Sequence, residues 1–426
     1  MASAERGDAY RADAGSPRTV QLFLRIFLPF VAAYYLSFLF RTINATIAAP
    51  LTSEFGLEAG DLGLLTSVYF LFFAAAQIPV GIILDRYGPR RIQSALLVAV
   101  AAGAAVFSAA DNFWLLLAGR ALIGLGVAAA LTAGLKALVI WFPKERVPFL
   151  NGLMIMLGAL GAVTATLPVE ALLMDMGWRR IFEISAAISA CCALLILVVV
   201  PEAPSTDSNA TIPIAEGLRM VYSDRRFWRL APLSASCIGT AWALQGLWAA
   251  PWLVDVGAFD RASVMRHLFI MAVALSAGAL LLGIMADRLR QRGVKVQTLL
   301  AIVAAVFIMA QLALMARFPL PPYFLWAVVA AVGAATVLSY SILADYFPKE
   351  LVGRANAALN VFHIAGAFVV QYGIGLVLQF WTPQDGHYPE IAFQCAFGLN
   401  VAIQLVTWIW FALSTTQRSN NAPRKP

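Results

Sequence analysis

Apolar residues in this chain run in unbroken stretches of twenty or more, separated by short clusters of charge, proline and glycine. About 20 apolar helical residues cross the roughly 30 Å of bilayer hydrocarbon, so each stretch predicts a spanning helix. Six are predicted near 22–50, 62–84, 92–111, 113–141, 148–174 and 180–201. A polar stretch from Glu202 to Arg229 intervenes, and six more follow near 230–254, 263–286, 296–316, 320–345, 353–381 and 390–415. The runs are continuous rather than alternating, which argues against an outer-membrane barrel. The expected fold class is an all-α membrane protein with twelve transmembrane helices. Its parts are a tail 1–21, a six-helix half 22–201, a linker 202–229, a second half 230–415 and a tail 416–426.

The pattern is doubled. Gly81-Ile-Ile-Leu-Asp85-Arg86-Tyr-Gly88-Pro-Arg90-Arg91 returns in shortened form as Gly283-Ile-Met-Ala-Asp287-Arg288-Leu-Arg290-Gln-Arg292, 202 residues later. Trp141-Phe142-Pro143-Lys144-Glu145 returns as Tyr346-Phe347-Pro348-Lys349-Glu350, 205 residues later. Two independent motifs at nearly one offset predict two parallel, pseudo-symmetric halves.

Composition agrees: 61% of residues are hydrophobic and 12% charged, with a mean hydropathy of +0.79, against about 25% charged in soluble domains. The net charge of +7 raises the question of nucleic acid, but its distribution points to topology. Arg86, Arg90, Arg91, Lys144, Arg146, Arg219, Arg225, Arg226, Arg288, Arg290, Arg292, Lys295, Lys349 and Arg354 fall in one set of loops. The other set holds Arg179, Arg180, Arg261, Arg266 and Arg317. The positive-inside rule then puts both termini in the cytoplasm. The polar first twenty residues read as a cytoplasmic tail rather than a signal peptide. Cys191, Cys192, Cys237 and Cys395 lie in apolar runs without metal-ligand spacing and read as small core residues.

On these motifs the chain resembles the major facilitator superfamily (MFS) over essentially its whole length. The loop after the second span is similar to that family's Gly-x-x-x-Asp-Arg-x-Gly-x-Arg-Arg signature. Arg120, Gly124 and Gly126 resemble its fourth-span Arg-x-x-x-Gly-x-Gly motif, and Gly177-Trp178-Arg179 is also similar to these transporters. The resemblance implies alternating access, with a central site between the halves. It further implies that Asp85 and Asp287 hold the halves closed on the cytoplasmic side, with Arg86, Arg90, Arg91 and Arg288 completing the latch. Arg120 belongs to this conformational set. Gly81, Gly88 and Gly283 are read as positions of close helix packing or tight turns. The duller reading of the loop is topology alone, with Asp85 solvated.

Ionisable residues inside a span are functional candidates by default. Arg41 lies deep in the first span, with Tyr34, Ser37 and Asn44 at helical spacing on one face. Lys136 lies in the fourth span, where snorkelling to the interface is the structural alternative. Two cations with no acidic residue obvious in the same spans point to an anion site, because arginine's planar fork fits carboxylate or phosphate. Asn44-Ala-Thr-Ile-Ala-Ala-Pro50 is similar to the first-span ending of the family's anion:cation symporter branch, which carries organic acids. In that branch an arginine stands at the position of Lys136. This chain departs from it at Arg41, where the branch has an acidic residue nearby, and at Val127, where it has a glutamate. Both departures count against that branch's route of proton coupling.

Trp242, Gln245 and Trp248 recur at helical spacing in the seventh span and read either as cavity wall or as packing. Gln77, Tyr69, Tyr340 and Gln371 are further wall candidates. His363 shares a face with Asn360 and can carry a proton near neutral pH, although a neutral hydrogen-bonded histidine is the structural alternative. Glu170 and Glu183 lie toward the ends of their spans, where proton exchange competes with simple interfacial placement.

Three functions compete. The first is a secondary transporter of a small organic anion or polar metabolite, driven by protons or an exchanged solute, in the bacterial inner membrane. The second is a drug or metabolite exporter, disfavoured because Gly158, Gly161 and Pro168 lack a Gly-Pro pair. The third is a non-transporting sensor, disfavoured by the two latch motifs. No nucleotide-binding glycine loop, nucleophile elbow or metal cluster occurs, so no enzyme activity, cofactor or metal is expected. The partners expected are a small-molecule substrate, coupled protons and the bilayer, with no nucleic acid and a monomeric chain.

Overall fold

The computed structural model describes residues 21–143, 146–202 and 214–420. The first twenty residues, Lys144 and Glu145 of the repeated motif, linker residues 203–213 and the end of the second tail lie outside them. In chain order the helices are α1 Phe23–Thr42, α2 Asn44–Phe55, α3 Ala59–Ser108, α4 Phe113–Gly126, α5 Ala130–Trp141, α6 Val147–Thr164, α7 Leu167–Val199 and α8 Ile214–Ser223. The second half continues with α9 Arg225–Ala243, α10 Ala249–Asp255, α11 Arg261–Gln291, α12 Val296–Met315, α13 Pro322–Val332, α14 Thr336–Tyr346, α15 Lys349–Leu378 and α16 Glu390–Asn420. Among the described residues there is no strand, only an isolated bridge between Gln384 and His387. In hydrocarbon every backbone group must be satisfied within its own segment, which favours helices. Large apolar side chains such as Met174, Val198 and Trp410 lie exposed, as expected where the solvent is lipid.

α3 holds two spans. They meet at Gly88, whose φ of 80° and ψ of 165° lie in a region only glycine occupies readily; Pro89 then starts the next helix. Gly81 and Gly283 lie within helices, at neither a tight turn nor a close contact among the described residues. A Cβ added to either meets nothing within 4 Å among the described residues. The fifth run also departs from the prediction. It was expected to span 148–174, but α6 stops at Thr164 and α7 begins at Leu167, with Pro168 in the first turn, where its missing N–H is tolerated.

By packing, the chain divides into Met1–Ile43 with Leu71–Asn209, and Asn44–Phe70 with Ala210–Pro426. Residues 44–70 therefore cluster with the second half, although in sequence they precede the linker. In the first unit α1 lies directly on α6. A Cβ on Gly161 would overlap the Tyr35 carbonyl, and Tyr35 Oη donates to Thr164 Oγ1 at 2.7 Å. Phe40, Phe107 and Phe182 fill the adjacent core. In the second unit α9 packs along α15 with Gly239 against Gly366 and Ala367. Behind them Gln311 and Gln404 bond each other at 2.6 Å, and Gln404 also reaches Thr240 at 3.1 Å.

Four interruptions fall on the first, fourth, seventh and tenth apolar runs. Ile43 separates α1 from α2, residues 127–129 separate α4 from α5, a π turn Leu244–Trp248 separates α9 from α10, and a 3₁₀ turn Gly333–Ala335 separates α13 from α14. From Ile43 to Gln245 is 202 residues and from Val127 to Gly333 is 206, the spacing of the repeated loops. Neighbouring side chains satisfy the carbonyls near them. Thr42 bonds back to Phe38 O at 2.8 Å, a contact that bends helices, and Arg120 donates to Phe40 O at 3.1 Å. Gln77 Nε2 donates to Ala128 O at 3.1 Å, and Trp242 Nε1 to Gly333 O at 3.2 Å.

Candidate functional site

Arg41 occupies the last turn of α1, immediately before the interruption at Ile43. It is half-buried, and its guanidinium carbon stands 4.1 Å from the centre of the Phe38 ring, a cation–π distance. Ser37 and Tyr34 lie one and two turns below it on the same helix face, and the Tyr34 ring covers Gly158. Asn44, predicted to extend this stripe, starts α2 and belongs to the second compact unit.

Lys136 finds an acidic partner outside its own span. Its ammonium donates to Asp85 Oδ1 at 2.8 Å and to Leu84 O at 2.9 Å. The candidate substrate cation thus holds the candidate latch carboxylate inside the first unit. Arg90 Nε donates to Leu197 O at 2.8 Å, and Arg91 pairs with Glu202. These two arginines tie the second span of α3 to the end of α7. Arg86 lies exposed over Tyr87. In the second unit Asp287 and Arg288 are exposed and the adjacent Arg290 pairs with Asp345. Arg120 is fully buried, bonded to α1 and 5.5 Å from the Phe107 ring centre, a contact that fixes α4 to α1.

A buried polar cluster marks the second unit. His363 Nε2 lies 2.7 Å from Ser234 Oγ, which lies 2.7 Å from Ser339 Oγ. Trp242 meets the imidazole edge-on at 6.1 Å between centres, with Tyr340 at 6.0 Å. Tyr340 Oη in turn donates to Asn360 Oδ1 at 3.2 Å. Gln245 sits in the π turn, 5% exposed, and Gln371 is buried on α15. Glu170 is half-buried in the first turn of α7, while Glu183 pairs with Arg180 at 2.6 Å.

The candidates missed from sequence lie around the ends of α2 and α10. Asp385 and Gly386 both adopt positive φ, 50° and 81°, and turn the chain so that His387 Nδ1 meets Asp255 Oδ1 at 2.8 Å. Tyr388 N–H donates to Asp255 Oδ2, and Tyr388 Oη accepts from Ala59 N–H, each at 3.2 Å. Burial pushes the Asp255 carboxyl above its ordinary range, while the bonds from His387 and Tyr388 act against that rise. An Asp-Gly pair between polar residues was the available signal for this turn.

Long apolar helices, with interruptions at matched positions in both halves, mark a multi-pass membrane protein. The profile of the Major Facilitator Superfamily matches residues 30–369, and the chain belongs to that family. It is 25% identical over 275 residues to a probable sulfoacetate transporter, SauU, of Cupriavidus necator, covering 61% of this chain and 64% of that protein. It is 32% identical over 121 residues to a nitrate/nitrite transporter, NrtP, of Picosynechococcus, covering 28% of this chain and 22% of that protein. The structure of a bacterial homolog of the human lysosomal transporter Spinster, inward-facing and unoccupied, superposes with a TM-score of 0.70 at 18% identity. That match covers 94% of this chain and 96% of the other.

Proposed function

We propose that this protein is a secondary active transporter of a small organic anion, working by alternating access. The observation that carries this reading is Arg41, a half-buried guanidinium in the span beside the α1 interruption. A cation at that depth is disfavoured unless it serves a ligand or a partner, and its planar fork suits carboxylate or sulfonate. The sulfoacetate and nitrate/nitrite relatives support an anionic substrate. Tyr34 and Asn44 flank the arginine along the chain, and Trp242 and Gln245 are the binding candidates of the seventh span.

His363 is the candidate proton carrier, with Glu170 second. Asp85 and Asp287, with Arg86, Arg90, Arg91 and Arg288, form the latch loops, and Lys136 acts in the first of them by holding Asp85. The setting we infer is twelve spans in a cell inner membrane, both termini cytoplasmic, as a monomer.

The test is thermal stabilisation of the purified protein by a panel of carboxylates, sulfonates, phosphates, peptides and cationic drugs, repeated with Arg41→Ala. A ligand that binds only the folded state raises the melting temperature by mass action. Stabilisation by an organic anion that disappears in Arg41→Ala supports the reading. Stabilisation by cationic or neutral compounds alone, unchanged in Arg41→Ala, overturns it in favour of an exporter.

A further inference from the structure

The end of α12 and the start of α13, both in the second compact unit, form an apolar groove of about 430 Å³. Val306, Met309, Ala313, Phe318, Phe324 and Val328 line it, and every other lining side chain is aliphatic too. Met309, Phe318 and Phe324 are exposed, so the groove opens onto the outer surface of the spans, where the solvent is lipid. From Val306 to Ala316 a helix rises about 15 Å, half of the roughly 30 Å of bilayer hydrocarbon. The groove therefore runs about the depth of one leaflet.

At its mouth the chain turns sharply. Phe318 N–H donates back to Ala313 O at 2.9 Å and Arg317 N–H to Leu314 O at 3.3 Å, with Arg317 at a φ of 48°. Helices that end this way commonly carry glycine at that position, and an arginine there strains the backbone. The turn fixes Arg317 between two lining residues, Ala316 and Phe318. Its guanidinium stands 3.5 Å from Glu390 Oε2, with side-chain exposures of 56% and 37%, farther than the about 2.8 Å of a tight charge-assisted bond. Gln394 Nε2 donates to the other Glu390 oxygen and to Met315 O, each at 3.0 Å, which ties the carboxylate to the same helix end.

An apolar groove stays dry, and left empty it deprives its lining of contacts. In a bilayer the filler at hand is an acyl chain. The headgroup of that chain then lies at the rim, where a cation and an anion stand side by side. A phosphate suits the planar guanidinium, and a primary ammonium, with three N–H donors, suits the carboxylate. A quaternary ammonium has no N–H to donate, and a glycerol headgroup has no cation.

We propose that the groove and the Arg317–Glu390 pair bind one phospholipid with a zwitterionic, primary-amine headgroup. The acyl chain lies in the groove, the phosphate meets Arg317 and the ammonium meets Glu390.

The experiment titrates delipidated full-length protein in detergent with phosphatidylethanolamine, phosphatidylcholine and phosphatidylglycerol of identical acyl chains, and counts bound lipid by native mass spectrometry. Phosphatidylethanolamine is expected to bind about threefold tighter than either of the others, the contribution of one partly exposed ion pair. Glu390→Gln should erase that preference and leave the phosphatidylcholine affinity unchanged. Arg317→Gln should weaken all three lipids alike, since each carries the phosphate. Ala316→Phe, at an exposed lining position, should fill the groove and weaken all three while leaving the lipid-free melting temperature near the parent's. Equal affinities for the three lipids in the parent, or a preference that survives Glu390→Gln, overturns the site and leaves boundary lipid only. A dimer that Ala316→Phe dissociates would also overturn it, because a second copy of the chain would then cover the groove.

Discussion

Lys136 decides between two accounts of the first half, and a double-mutant cycle with Asp85 separates them. The ammonium lies 2.8 Å from the carboxylate, with side-chain exposures of 26% for Lys136 and 62% for Asp85. Exposed ion pairs contribute about 0.2–1 kcal/mol. With the carboxylate mostly exposed, the coupling should be about 0.5 kcal/mol, a factor of roughly two to three. Lys136→Met also loses the bond to Leu84 O, which adds about 1 kcal/mol after discounting for exposure. Stability is read from thermal unfolding, and function from the Kd of a stabilising anion, in the parent, Lys136→Met, Asp85→Asn and the double variant. If Lys136 acts through Asp85, its removal changes Kd less than about threefold, and less again once Asp85 is already asparagine. A lysine that binds substrate would instead lose a charge-assisted hydrogen bond of about 1.5–3 kcal/mol, roughly 10- to 150-fold in Kd. Such a loss, equal in both Asp85 backgrounds, would refute the latch assignment.

Three further outcomes follow from packing and charge. Gly161→Leu should abolish folding of the first half, because its Cβ meets the Tyr35 carbonyl, whereas Gly152→Leu, with open space around it, should yield normal amounts of folded protein; equal yields would contradict the α1–α6 contact. Gln77→Leu leaves the Ala128 carbonyl without its donor and should destabilise by about 1–3 kcal/mol, checked by chemical or thermal unfolding. Burial raises the folded-state pKa of Asp255, so its contribution to stability is fully present below the unfolded pKa and is lost as pH rises through the folded one. Asp255→Asn should therefore gain stability relative to the parent as pH climbs from about 4 into the neutral range, and a variant that falls below the parent there would mean that the His387 bond outweighs burial.

Much of the scaffold is legible in the sequence because the bilayer imposes a coarse rule. Length and hydropathy locate the helices, and the 202- and 205-residue offsets of the loop motifs announce the duplication. Gly88 is readable because one backbone conformation demands it. The interruptions are harder to see. Residues 127–129 are Val-Ala-Ala and residue 43 is isoleucine, none of them helix breakers. They become visible only once Gln77, Thr42 and Arg120 are seen taking nearby carbonyls. Lys136 and Asp85 lie 51 residues apart, and no periodicity joins them. Gln245 Nε2 and the Gln371 amide find no hydrogen-bond partner among the described residues, a property of their surroundings that composition does not encode.

The grouping of residues 44–70 with the second half bears on any attempt to produce the protein in two pieces. A fragment beginning at the linker would lack the Thr46 carbonyl that Arg261 bonds at 2.6 Å and the Ala59 amide held by Tyr388. It would also lack the Gly60 and Gly63 surface on which Gly375 and Gln371 lie. Cutting the gene between the covalent halves therefore cuts through a packing unit. The two fragments should need each other from synthesis onward, and the second should survive in the membrane only when the first is made beside it.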